Sequence, residues 1–262
     1  MKKKSLAVLL FLFSMLTTGA QEWKLTWSDE FDKPGLPDSS KWSFDTRGNA
    51  WGWGNNELQY YTDRDSSNAF VQNGVLRITA LSKEMGGKQY TSARLISAGK
   101  AAFRYGRMAI RARLPGGRGT WPAIWMLGSN IRETGWPACG EIDIMEYVGY
   151  EPDSVFGTVH TTAYNHVKGT QRTKGLFVPN LTTDFHEYAI EWSPEAINFF
   201  VDGKLYNHFP NEKKTTAEWP FDQPCYFILN LAIGGNWGGK KGIDPAALPA
   251  IFEVDYVRVY SK

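Results

Sequence analysis

Gly140-Glu141-Ile142-Asp143-Ile144-Met145-Glu146-Tyr147 sets three carboxylates among apolar residues, in a run short and apolar enough to be a buried strand. Alternate side chains on a strand share a face, so Glu141 and Asp143 point one way while Ile142 and Ile144 point the other. Glu146 breaks that alternation. It reaches the face of Glu141 only where one residue, read here as Met145, is taken up by a β-bulge, a device that re-aims side chains beside active sites. The isoleucines and methionine between the acids argue against a wet strand edge with scattered charge.

A trio of this kind suits cleavage of a glycosidic bond with retention of configuration. That reaction takes one carboxylate as nucleophile and a second carboxyl as acid and then base, the two roughly 5–5.5 Å apart. An unbroken strand would hold Glu141 and Glu146 about 16 Å apart at ~3.3 Å per residue, so the chemistry requires the bulge. Three acids crowded on one face cannot all ionise cheaply, and at least one keeps its proton at neutral pH. Asp143, between the other two, is the tuning group.

Three other segments accompany the acidic strand: Gly54-Asn55-Asn56-Glu57-Leu58-Gln59-Tyr60-Tyr61-Thr62, Trp121-Pro122-Ala123-Ile124-Trp125-Met126-Leu127 and Asn230-Leu231-Ala232-Ile233-Gly234-Gly235-Asn236-Trp237. With the acidic strand they resemble glycoside hydrolase family 16 in its bulged form and, within it, the laminarinase (endo-β-1,3-glucanase) branch, from about Trp27 to Tyr260. The resemblance implies an all-β jelly-roll sandwich of two antiparallel sheets with a concave substrate cleft. It also implies a retaining endo-glycosidase for β-1,3 linkages in laminarin-type β-glucan, with mixed-linkage β-1,3-1,4-glucan as a second substrate. Glu141 is then the nucleophile, Glu146 the acid and base, and Asp143 the residue that orients Glu141; no catalytic cofactor is implied.

The resemblance also suggests sugar contacts. Asn56, in a Gly-rich loop, is a candidate for hydrogen bonds to glucose on the non-reducing side of the cut, with Glu57 bracing the loop. Arg94 either reaches a sugar hydroxyl or makes a structural ion pair. Trp121 and Trp125, four apart and so same-facing on a strand, are favoured as cleft walls over core residues. His160 alone would be an ordinary hydrogen-bonded core histidine; by resemblance it lies near the acid and base and helps set its pKa. Trp237, after two glycines, is a loop aromatic placed to stack on a sugar. Trp27-Ser28-Asp29-Glu30-Phe31 alone is a charged strand end. By resemblance a structural Ca²⁺ sits on the convex face, held by Glu30, the carbonyl of Gly74 and Asp255, and hard oxygen ligands from distant segments suit that ion.

The rest of the chain fits this frame. Its 262 residues, 42% hydrophobic, support one substantial core, and a net charge of +2 gives no electrostatic case for nucleic acid. Aromatic residues make up 15% of the chain, with 11 tryptophans, an excess that points mildly to carbohydrate. Four histidines without paired spacing argue against a zinc site. Met1-Lys2-Lys3-Lys4, the apolar run Leu6 to Leu16 and Thr18-Gly19-Ala20 have the pattern of an export signal cleaved after Ala20, leaving residues 21–262 as one catalytic domain, secreted or periplasmic, monomeric and not inserted in a membrane. Export permits a disulfide between Cys139 and Cys225, but their apolar surroundings slightly favour two buried thiols.

Strand signals recur over 75–81, 105–114, 185–192, 226–233 and 251–260, and Asp202-Gly203 joins 196–201 to 204–209 as a type I′ hairpin. Two other functions share the frame: a β-glucan-binding lectin-like module, which would typically have lost one of the three acids, and a hydrolase of algal galactan, which would carry more basic residues beside its aromatics.

Overall fold

A computed structural model describes residues 22–262; the expected export signal at 1–20 lies outside the described residues. In chain order the strands are β1 (Lys24–Asp29), β2 (Ser43–Phe44), β3 (Gln59–Tyr61), β4 (Ala69–Gln72), β5 (Val75–Met85), β6 (Lys88–Ser92), β7 (Arg94–Ile96), β8 (Gly106–Arg113), β9 (Thr120–Gly128), β10 (Glu141–Tyr147), β11 (Ser154–His160), β12 (Arg172–Phe177), β13 (His186–Trp192), β14 (Ala196–Val201), β15 (Lys204–Pro210), β16 (Cys225–Ile233) and β17 (Ala250–Ser261). One sheet runs β12-β11-β10-β9-β16-β7-β2. The other runs β15-β14-β13-β8-β17-β5-β6-β3, with β1 on β17 and β4 on β5. All pairings are antiparallel except β3 with β6, and the result is the expected sandwich.

Alternation along the strands builds the core. Met108, Ile110 and Ala112 of β8 and Leu76, Ile78 and Ala80 of β5 are fully buried, and they pack against Ile124 and Met126 of β9 and Leu229 and Leu231 of β16. The opposite side of β8 carries Arg107, Arg111 and Arg113, which pair with Glu187, Glu191, Asp255 and Glu253 across the outer face. The Asp202-Gly203 turn has φ of 48° and 75°, both left-handed, as a type I′ connection between twisted strands demands. Cys139 and Cys225 are buried free thiols.

β10 is bulged, but one residue earlier than the sequence reading places it. Against β9, Asp143 pairs with Trp125 and Met145 with the next residue, Ile124, so Ile144 is the extra residue rather than Met145. Against β11, Asp143 faces Thr158 and Glu146 faces Phe156, again one residue too many on β10. Ile144 and Met145 both turn into the core, where each is almost fully buried, and Glu146 comes out on the side of Glu141 and Asp143. Isoleucine and methionine suit that core equally well, so sequence alone does not separate them; the register on β9 does.

Candidate active site

A cleft of about 640 Å³ lies across the smaller sheet, and Glu141, Asp143 and Glu146 open into it together. Cross-strand register lines up its floor. Glu141 is opposite Leu127, Asp143 opposite Trp125 and Glu146 opposite Ala123, while Tyr226, Asn230 and Ala232 continue the same face on β16.

Each acid has a different environment. Glu141 accepts a hydrogen bond from Trp136 Nε1 at 2.8 Å. Burial raises its pKa, while the Trp136 hydrogen bond, His166, a hydrogen bond with Asp143 and Arg94 all pull the other way. Asp143 is driven well above the carboxylate range by burial and by the charges of Glu141 and Glu146. A hydrogen bond between Asp143 and Glu141 raises Asp143 further and pulls Glu141 down. Glu146 is pushed up to about 8 by burial and by the charge of Glu141, against a hydrogen bond donated by Trp121 Nε1 at 3.1 Å. Environment thus sets the three apart: Glu141 is the one held by several stabilising partners, Asp143 the one lifted by both neighbours' charges, and Glu146, pushed up to about 8, holds its proton at neutral pH.

His160 lies beneath this group, opposite Glu141 on β11 and only 6% exposed. Its Nε2 is 3.4 Å from Asp143 Oδ2 and 3.7 Å from Glu141 Oε1. Burial lowers its pKa to about 4, so the ring is neutral. Grouped with the sugar contacts and read as lying near the acid and base, His160 instead reaches Glu141 and Asp143, and it is not among the residues lining the cleft. Glu141, Asp143 and His160 also form the one metal-ligand-like cluster found among the described residues, their ligand atoms within 4.8 Å of one another.

The other expected contacts separate into two groups. Trp121, Trp125 and Arg94 line the cleft. Trp125 Nε1 donates to Asn230 Oδ1 at 2.7 Å, which fixes the plane of its ring. The Arg94 guanidinium lies between two rings, 4.5 Å from the centroid of Trp53 and 4.7 Å from that of Trp125, with Asp45 at 3.5 Å. Each such cation–π contact contributes about 0.5–2 kcal/mol depending on desolvation, so Arg94 is a fixed part of the wall, and the ion pair with Asp45 is in place. Asn56 and Trp237 are set back from the deep cleft. Asn56 donates to Asn236 Oδ1 at 2.8 Å and ties two loops together, and the cleft is lined by its neighbours Asn55 and Glu57. Glu57 accepts from Gln59 Nε2 at 2.7 Å, while Gln59 Oε1 accepts the amide of Ile233, so Glu57 braces the loop as expected. Trp237 packs edge-on against Trp121 and Phe156.

Trp136, His166, Trp51 and Trp53 line the cleft and were not singled out from sequence. They lie in turns and short helical segments that carry no periodic signal, and the high tryptophan count was their only trace.

The three positions expected to hold calcium are near one another in strand register. β1 and β5 follow one another along β17, with Asp29 opposite Val257 and Leu76 opposite Val254, which brings the end of β1 and the start of β5 to the stretch of β17 around Asp255. Both carboxylates are held by arginine: Arg258 donates to Glu30 at 2.8 and 3.0 Å, and Arg111 to Asp255 at 2.6 Å. The oxygen donors suit Ca²⁺, and each carboxylate would exchange an arginine for the ion.

The model of the family described as glycosyl hydrolases family 16 matches residues 50–258. A β-glucanase of Rhodothermus marinus is 58% identical over 248 residues, spanning 92% of this chain and 86% of its own. The X-ray structure of the laminarinase from Rhodothermus marinus superposes with a TM-score of 0.88 at 57% identity, over 91% of this chain and 97% of that one. A non-specific endo-β-1,3(4)-glucanase, co-crystallised with 1,3-β-D-cellotriosyl-glucose, gives 0.90 at 46% identity, over 92% and 95% of the two chains.

Proposed function

The chain belongs to glycosyl hydrolase family 16, and from that membership we propose that it is a retaining endo-glycosidase hydrolysing β-1,3-glucosidic linkages in laminarin-type β-glucans, with mixed-linkage β-1,3-1,4-glucan as a second substrate. The observation that carries it is the Ile144 bulge, which brings all three acids to one wall of one cleft.

Glu141 attacks the anomeric carbon while Glu146 gives its proton to the departing glycosidic oxygen, forming a covalent glycosyl-enzyme. Glu146, now anionic, takes a proton from water, and that water releases the sugar with its original configuration. Asp143 holds the Glu141 carboxylate in place through their hydrogen bond, and the rings of Trp121 and Trp125 offer flat apolar faces to the pyranoses. No step calls for a cofactor. The presence of all three acids favours hydrolysis over a purely lectin-like role.

Product analysis on laminarin, lichenan and agarose tests the proposal. The expected result is rapid release of laminari-oligosaccharides from laminarin, slower release from lichenan and none from agarose. Binding of laminarin with no new reducing ends would instead support the lectin-like module, and products from agarose alone would support the galactanase.

We also propose that residues 1–20 are removed on export, so that the secreted or periplasmic protein starts at Gln21 by N-terminal sequencing, and that it is a monomer. Ca²⁺ between Glu30, Gly74 and Asp255 would join the end of β1 to the start of β5. Millimolar CaCl₂ is then expected to raise the melting temperature by about 5 °C or more over EGTA, the shift for a few kcal/mol of linkage in a domain of this size. Equal melting temperatures would leave the arginine pairs as the whole of that cluster.

A further inference from the structure

His160 faces the acids from β11. It pairs with Glu141 in the β10–β11 register, and Asp143 lies two residues further along β10 on the same side. That placement sets one donor atom from each of three side chains around one point. Nε2 of His160 is 3.4 Å from Asp143 Oδ2 and 3.7 Å from Glu141 Oε1, and the three lie within 4.8 Å of one another.

The carboxylate oxygens of this trio are open to a ligand. Asp143 is only 3% exposed, yet its Oδ2 has no hydrogen-bond partner among the described residues, because the imidazole stands beyond the roughly 2.7–3.2 Å of an N–H···O bond. Glu141 accepts from Trp136 Nε1 through Oε2, which leaves Oε1 on the side of His160. A buried oxygen without a donor is costly, and two carboxylates side by side in a buried wall disfavour two bare charges. A dication between them offsets both costs.

Spacing and donor type select the ion. Zn²⁺ binds histidine nitrogen and carboxylate oxygen at about 2.0–2.2 Å in a tetrahedron, whose edges are then about 3.3–3.6 Å. The His160–Asp143 edge falls in that range and the His160–Glu141 edge lies just outside it. Ca²⁺ takes about six to eight oxygens and Mg²⁺ a near-octahedral oxygen set, which one nitrogen and two oxygens do not supply. Glu141 and Asp143 line the cleft and His160 lies behind them, so the fourth corner opens to the cleft. Paired histidines are not needed, since sheet register brings two acids to a single one. His160 Nδ1 has no partner, so the ring lacks the second hydrogen bond that fixes a zinc ligand and contributes about ten- to hundredfold in affinity; an ion here exchanges with solvent.

We propose that Glu141 Oε1, Asp143 Oδ2 and His160 Nε2 form a reversible Zn²⁺ site, in which the ion occupies the nucleophile and stops the reaction. The stopping of hydrolysis rests on the retaining-glucanase reading above; the binding of the ion does not.

Titration calorimetry with ZnCl₂, in millimolar CaCl₂ to fill the cluster at Glu30 and Asp255, is expected to give one zinc ion per chain. X-ray absorption at the zinc edge is expected to show a single imidazole nitrogen among oxygen ligands at about 2.0–2.2 Å. His160→Leu and Asp143→Asn are each expected to weaken zinc at least about tenfold, with thermal melts showing that the variants are folded. On wild type, zinc is expected to raise KM for laminarin several-fold at constant kcat, and EDTA to restore it. Zinc affinity unchanged in both variants, or a spectrum without imidazole, would overturn the site. The spectrum uses wild-type protein alone, so it decides the matter even where a variant fails to fold. A fall in kcat at constant KM would overturn the blocking of the nucleophile. Protein that binds zinc as described and hydrolyses no laminarin would support the site and overturn the hydrolase reading.

Discussion

Glu141→Gln is expected to lose laminarin hydrolysis by a factor on the order of 10⁴ or more while keeping the fold and the affinity for oligosaccharide. The substitution removes the nucleophile and little else. Glutamine has the same shape, and its carbonyl oxygen still accepts the hydrogen bond that Trp136 Nε1 makes at 2.8 Å. It also removes a negative charge from a wall where burial already disfavours charge on all three acids, so the variant should melt no lower than wild type. Single-turnover rates, calorimetric binding of laminarihexaose and a thermal melt measure the three quantities together. Activity within tenfold of wild type would remove Glu141 from the nucleophile's role.

Glu146→Gln is expected to cost about 10³-fold on laminarin, where a poor leaving group needs a proton, and far less in the first step on β-laminaribiosyl fluoride, where it does not. Its pH behaviour is the more specific signature. Burial and the charge of Glu141 push the pKa of Glu146 up to about 8, so wild-type kcat/KM on laminarin should fall as pH rises through that value and Glu146 loses its proton. The variant has no proton to lose there, and its residual rate should not show that limb. Stability follows the same sign. A carboxyl whose folded pKa lies above its unfolded value contributes stability at low pH that is lost as pH rises from the ordinary carboxylate range towards about 8. Glu146→Gln removes that loss and should melt higher than wild type at pH 8 but not at pH 4. A wild-type alkaline limb that persists unchanged in the variant would assign it to another group.

The sheets were legible where their strands alternate. Met108, Ile110 and Ala112 against Arg107, Arg111 and Arg113 decide which side of β8 is inside, and Asp202-Gly203 decides the turn from β14 to β15, without reference to the rest of the chain. The acids were legible for the opposite reason: Glu146 violates the alternation, and a carboxyl among isoleucines has to be accounted for. What sequence could not supply was depth and partnership. Which residue bulges depends on how β9 registers on β10, and both Ile144 and Met145 satisfy the core. Trp136 reaches Glu141 from a turn, and His166 from a short 3₁₀ segment, because chain packing carries them there. His160 was read as a strand residue near the acids, but its burial beneath Asp143 is a property of the sandwich as a whole. The arginines on Glu30 and Asp255 come from β17 and β8, and no local pattern links them to those acids.

The central claim is that one extra residue in β10 sets Glu141 and Glu146 as nucleophile and acid across a single anomeric carbon. Proton NMR of laminarin oligosaccharide hydrolysis, recorded before mutarotation, tests it most directly. The account predicts that the first anomeric signal of the new reducing end is β, with α growing in only later; α appearing first would mean inversion by an activated water and would contradict it.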